Sequence, residues 1–147
     1  MATILLISGP NLNLLGEREP EIYGRTTLED LVEVASATAR AHGHEIEHFQ
    51  SNHEGAIVEA IHSARGRCPA IVINPGAFTH YAYAITDALA SHDGVKVELH
   101  ISNPSARESW RHTSVVAAVV TGTIAGFGAH GYRLAIEAVV AKLGEGS

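Results

Sequence analysis

Apolar positions along this chain alternate between two patterns, and the alternation predicts a fold before composition is considered. Thr3 to Ile7 and Ala70 to Ile73 are β-branched and apolar runs without polar interruption, as expected of parallel strands buried on both faces. Between such runs lie stretches with a helical apolar period. Leu28, Leu31, Val32 and Ala35 form one stripe, opened by Thr27 and Asp30 in a capping-box-like start and running to about His42, with Gly43 ending it. Ile57, Val58, Ile61 and Ala64 form a second, with Ser51 and Glu54 expected to cap it. Tyr81, Ile85, Ala88 and Leu89 mark a third helix, and Tyr132, Ile136, Val139, Val140 and Leu143 share one face of a last one. The remaining strands are Glu45 to Gln50, which suits a sheet edge, Val95 to His100, and one within Ala117 to Ala125. Five strands with covering helices imply an α/β fold: a flavodoxin-like, doubly wound, five-stranded parallel sheet in three α/β/α layers. No linker, repeat or low-complexity tract interrupts the alternation, so residues 1–147 are expected to form a single domain.

The loop after the first strand changes that picture from fold to function. Residues 9–24 follow a central strand at the edge where open α/β sheets place ligands, and they hold too many special residues for a connector. We read about residues 11–25 as an active-site lid. Parallel strands bring the loops after strands one, three and four to the same edge. They deliver Asn11, Arg18 and Tyr23, then Asn74 and His80, then His100, Ser102, Asn103, Arg107 and Arg111. This is an anion-binding, proton-transferring set. Glu98 and His100 stand two apart on a strand, so both side chains leave one face and the carboxylate can hold the imidazole and favour its charged form. Arg107 and Arg111 stand four apart and share a face if Ala106 to Arg111 is a helical turn. Tyr23 needs help to act as a base, since a phenol titrates near ~10. Arg18 can supply it: a guanidinium at ~4 Å in an effective dielectric of ~20 contributes about 4 kcal/mol, roughly three pKa units, before desolvation is subtracted.

Composition narrows the classes. The chain has 147 residues, 46% hydrophobic, enough for one core without disulfides or a structural metal. Its single cysteine, Cys68, excludes an internal disulfide framework and reads as a small buried residue. Lacking a signal-like start or a bilayer-length apolar run, the chain is expected to be cytoplasmic, with no membrane partner. A formal charge of −6 disfavours nucleic acid as a partner. Only Lys96 and Lys142 could form an imine with a ketone. Neither an HExxH nor a paired Cys/His spacing occurs, and His42, His44 and His48 read as a solvated surface, so no metal site is expected.

Three patterns compete. Gly126 to Gly131 fits GxGxxG but leaves no following strand for a dinucleotide site, so it reads as a tight strand-to-helix turn. A flavin- or nucleotide-binding module would need a phosphate-cradling first loop, where Pro10 removes a donor and Leu12, Leu14 and Leu15 offer no hydroxyls. A phosphorelay receiver would need aspartates where this chain has Ser8 and Asn74.

Along nearly its whole length the chain resembles type II 3-dehydroquinate dehydratase, the small dehydroquinase of the shikimate and quinate pathways. The resemblance rests on Gly9-Pro10-Asn11-Leu12 through Arg18 to Tyr23-Gly24, on Asn74-Pro75-Gly76-Ala77 with Thr79-His80, and on Glu98 to Asn103 with Ala106-Arg107-Glu108 and Arg111. It implies conversion of 3-dehydroquinate to 3-dehydroshikimate without metal or organic cofactor, in a homododecamer built as a tetramer of trimers. It also implies roles. Tyr23 is the base for the C2 proton, Arg18 activates it, His100 with Glu98 is the acid on the C1 hydroxyl, and Asn11 fixes a water against the enolate. Asn74, His80 and Arg111 bind substrate hydroxyls, Ile101 and Ser102 grip the carboxylate, Arg107 supports them, and Asp87 reaches in from a neighbouring subunit. The chain departs from the family's commoner residues at Ser105 and Trp110.

Overall fold

A computed structural model describes residues 1–17, 21 and 25–145 of the chain. Strands β1 (Thr3–Ser8), β2 (Glu45–Gln50), β3 (Ala70–Asn74), β4 (Val95–His100) and β5 (Gly122–Ala125) alternate with helices α1 (Leu28–Ala41), α2 (Glu54–Ala64), α3 (Tyr83–Ala90) and α4 (His130–Glu145). All strand pairs are parallel, in the order β2-β1-β3-β4-β5. This is the flavodoxin order, and β2 is the edge strand its polar alternation implied. Among the described residues no helix is long and apolar enough to cross a membrane.

Strand alternation divides the interior in two. Ile4, Leu6, Val72 and Leu99 pack under α1 and α4, while Leu5, Ile7, Ile71 and Ile73 pack under α2 and α3. At the C-terminal ends of the strands the same alternation aims polar side chains. Asn74 continues the parity of Val72 toward α4, and Glu98 and His100 take the parity opposite to Leu99, toward α3.

Local structure corrects four expectations. Helix α1 has its capping box, with Thr27 and Asp30 each bonded to the other's backbone N–H. Helix α2 has none: His53 is its N-cap, and the Ser51 hydroxyl accepts from the His53 N–H at 2.9 Å, ordering the approach rather than the helix end. Tyr81 lies outside α3, because Gly76–His80 forms a 3-10 helix that ends at Tyr81 with φ −155°, and Ala82 takes the buried position. Arg107 and Arg111 do not share a helical turn. Two 3-10 turns, Pro104–Ala106 and Ser109–Arg111, flank an extended Arg107, whose φ of −111° and ψ of −162° break any helix. Of the three surface histidines, His48 is half-buried with its Nε2 2.9 Å from the Ser8 hydroxyl, and burial pulls its pKa down against the opposing charge of Glu29.

Candidate active site

Two glycines let the loops after β1 and β3 touch. A Cβ on Gly9 would stand 2.5 Å from the Pro75 carbonyl oxygen, and Gly76 adopts a φ of +58° against Pro10. The Gly9 N–H donates to the Asn74 carbonyl at 2.8 Å, which fastens the first loop to the end of β3. Leu12 and Leu15 then bury themselves in the α1/α4 core, so the near stem of the expected lid is seated rather than loose. Asn11 adopts a left-handed conformation, φ 68°, and its N–H donates to the Asn52 side chain at 3.0 Å. Arg18 and Tyr23 lie outside the described residues.

Next to this junction opens a cleft of about 70 Å³. The first loop contributes Asn11 and Leu12 to its wall, the β3 loop Asn74 and His80, and the β4 loop His100, Ile101, Ser102, Arg107 and Arg111. Asp87 is not part of it, since it lies on the exposed side of α3. The structure thus brings together every described residue singled out in sequence except Asn103, whose side chain caps the Pro104–Ala106 turn, Asp87 and Glu98, and Glu98 stands directly behind His100.

Glu98 is 1% exposed and its carboxylate is saturated. His100 Nε2 donates to Oε2 at 2.6 Å, the Thr79 hydroxyl donates to the same oxygen at 2.5 Å, and the Ser114 hydroxyl lies 2.9 Å from both oxygens. Burial pushes the Glu98 carboxyl upward, but the hydrogen bonds from His100, Thr79 and Ser114 together with the His100 charge outweigh it and hold the group below the usual carboxylate range. With Nε2 committed, Nδ1 is the His100 ring nitrogen left to the cleft.

His80 is held the other way round. Its Nδ1 lies 2.7 Å from the Thr113 carbonyl, which can only accept, so this nitrogen carries the proton and Nε2 is left for a ligand. Asn74 is fixed at both ends of its amide. Oδ1 accepts the Gly76 N–H at 3.1 Å, and Nδ2 donates to the Tyr132 hydroxyl at 3.2 Å. Tyr132, from α4, is 1% exposed, and its phenol is pushed up to about 12 by burial, against the opposing Asn74 hydrogen bond. Arg111 Nε donates to Glu108 at 2.7 Å, and Arg107 Nη1 lies 3.4 Å from the Ser102 hydroxyl.

Sequence reasoning missed the residues behind this wall: Thr79, Ser114, Tyr132 and Asn52. Only Thr79 sat within a quoted motif. Ser114 lies far from Glu98 in sequence, and Tyr132 counted as an ordinary apolar position, so no local spacing announced either. Among the described residues no three His, Cys, Asp or Glu side chains cluster as metal ligands would.

The Dehydroquinase class II family model matches residues 2–140. The chain is 55% identical over 140 residues to a 3-dehydroquinate dehydratase of Halalkalibacterium halodurans, covering 95% of this chain and 97% of that protein. It is 53% identical over 143 residues to a catabolic 3-dehydroquinase of Penicillium rubens, covering 97% and 92%. The crystal structure of type II dehydroquinase from Propionibacterium acnes superposes with a TM-score of 0.91 at 45% identity, covering 96% of this chain and 97% of that one.

Proposed function

We propose, because the chain belongs to the class II dehydroquinase family, that it eliminates water from 3-dehydroquinate to give 3-dehydroshikimate. The observation that carries this reading is the His100 imidazole on a cleft wall, clasped through Nε2 by a buried carboxylate held in its ionised form.

The ketone acidifies the C2 hydrogen. Tyr23, as a phenolate favoured by Arg18, removes that proton, and the electron pair moves to the carbonyl oxygen as an enolate. Asn11 orients a water whose hydrogen bond stabilises the enolate oxygen. His100, carrying a proton on Nδ1, gives it to the C1 hydroxyl, the carbon-oxygen bond breaks, water departs, and the enolate collapses to the conjugated enone. Tyr23 has then gained the proton that His100 lost, and its return resets the site. Glu98 holds the ring in place and offsets its charge.

Tyr23 is favoured as the base by its alternatives. Tyr132 is buried with its phenol pushed up to about 12, and Tyr81 and Tyr83, exposed at 56% and 69%, do not line the cleft. A route without an imine is supported by the lysines. The Lys96 ammonium donates to the Leu89 and His92 carbonyls, and Lys142 pairs with Glu145. Neither lines the cleft. Asn74, His80 and Arg111 bind the ring hydroxyls, with Ile101 and Ser102 on the carboxylate and Arg107 supporting Ser102. The outward position of Asp87 fits a residue lent to a neighbouring subunit in a dodecamer of four trimers.

Purified protein given 3-dehydroquinate should develop enone absorbance and keep its rate in EDTA and borohydride. Tyr23→Phe should lose at least about 100-fold in kcat while still binding substrate. A parent that produces no enone refutes the activity, inhibition by EDTA or borohydride refutes the metal- and imine-free route, and a Tyr23→Phe variant with parental kcat refutes the base. Sedimentation at a mass other than twelve chains would refute the assembly.

A further inference from the structure

We propose that Trp110 is a positioning residue that holds Arg111 and His80 in register for the substrate ring, an inference that rests on the functional reading above. The Arg111 guanidinium carbon lies 4.0 Å from the Trp110 ring centroid, and the His80 ring meets the same indole edge-on, with centroids 5.4 Å apart at 84°. One aromatic plate therefore touches two of the groups assigned to hydroxyl binding.

The contact matters most for Arg111. A guanidinium on a long stem loses rotamer freedom when a ligand fixes it, and that loss is avoided if the protein has ordered it beforehand. Two contacts do so. Glu108 takes the Nε edge at 2.7 Å and the indole lies against the guanidinium carbon at 4.0 Å, so the group is held from two sides. The terminal nitrogens have no further protein partner among the described residues, and Arg111 lines the cleft, so the fork is presented to a ligand. His80 is anchored similarly, by the Thr113 carbonyl through Nδ1 and by the indole on its ring. Trp110 itself is 53% exposed, so the core does not explain its presence. An indole is the strongest cation-binding face among the side chains, and its two rings are broad enough to meet both partners.

The role predicts a defect in binding rather than in chemistry. In the full-length protein, Trp110→Ala should raise KM for 3-dehydroquinate about fivefold with kcat within about twofold, and Trp110→Phe should recover part of that loss by restoring an aromatic face. Because Trp110 is the chain's only tryptophan, its emission is an independent readout. In a Tyr23→Phe background, titration with 3-dehydroquinate should change that emission saturably. The proposal is overturned if an active parent and Trp110→Ala share one KM, if Trp110→Phe recovers nothing, or if the titration is flat. Those results leave the functional reading standing, whereas a parent inactive on 3-dehydroquinate removes both.

Discussion

Two histidines line the same cleft, and the groups behind them give them opposite characters. His100 gives Nε2 to the Glu98 carboxylate, whereas His80 gives Nδ1 to the Thr113 carbonyl. A carboxylate bears a full charge and can offset an imidazolium, while a carbonyl bears a partial one and does little beyond fixing the tautomer. The nitrogens left for a ligand differ accordingly: Nδ1 of His100, suited to giving a proton, and Nε2 of His80, suited to accepting a hydrogen bond from a hydroxyl. His92 completes the series. It is buried with Nε2 on the Cys68 carbonyl and Nδ1 on the Gly94 N–H, so nothing remains for a ligand. The far-side partner, more than the residue type, decides what a histidine does.

The largest effect follows from that difference. His100→Asn should lower kcat about a thousandfold, the scale of a lost general acid, while His80→Asn should act mainly on KM, by about tenfold. Steady-state kinetics of the two variants side by side checks this. Equal losses of kcat would show that the partner does not separate their roles.

Glu98→Gln tests the partner itself. Glutamine keeps the shape but loses the charge and turns one oxygen into a donor facing Thr79 or Ser114, so kcat should fall about tenfold or more. Stability supplies a second reading. The folded Glu98 carboxyl sits below its unfolded value near ~4.3, so its contribution is fully present above that pH and is lost as pH falls through the folded value. Denaturant unfolding between neutral pH and about pH 3 should therefore find the parent more stable than the variant at pH 7, with the gap closing toward acid. A gap constant with pH would mean that Glu98 is not held ionised.

How much of this was legible in sequence follows the same division between front and back. Strand parity placed Glu98 and His100 on one face, because a period of two needs only local counting, and the buried runs of β1 and β3 set the sheet order's centre. The front wall of the cleft came from loops at one sheet edge, which topology alone brings together. Its back wall could not be read this way. Ser114 reaches Glu98 from sixteen residues along the chain and Tyr132 reaches Asn74 from fifty-eight, contacts created by tertiary packing alone. Arg107 and Arg111 were read as one helical face from their spacing. They reach the cleft instead through a broken loop, since Glu108 draws both guanidiniums toward its carboxylate, Arg111 at 2.7 Å and Arg107 at 3.9 Å.

Asn74 extends the comparison to an amide with a weak partner. The Gly76 N–H can only donate, so it alone sets Oδ1 toward itself and Nδ2 toward Tyr132. Tyr132→Phe keeps the ring that fills the α4 core but removes the acceptor, leaving one Asn74 N–H buried without a partner. That should cost about 1 to 3 kcal/mol of stability. Because Gly76 still fixes the amide, the second Nδ2 hydrogen stays aimed as before, and KM should change by less than about threefold. Thermal unfolding with kinetics on the same preparation checks both. A large rise in KM with stability unchanged would reverse the argument: the far-side partner would then be aiming Asn74 rather than merely satisfying it, as Glu98 does for His100.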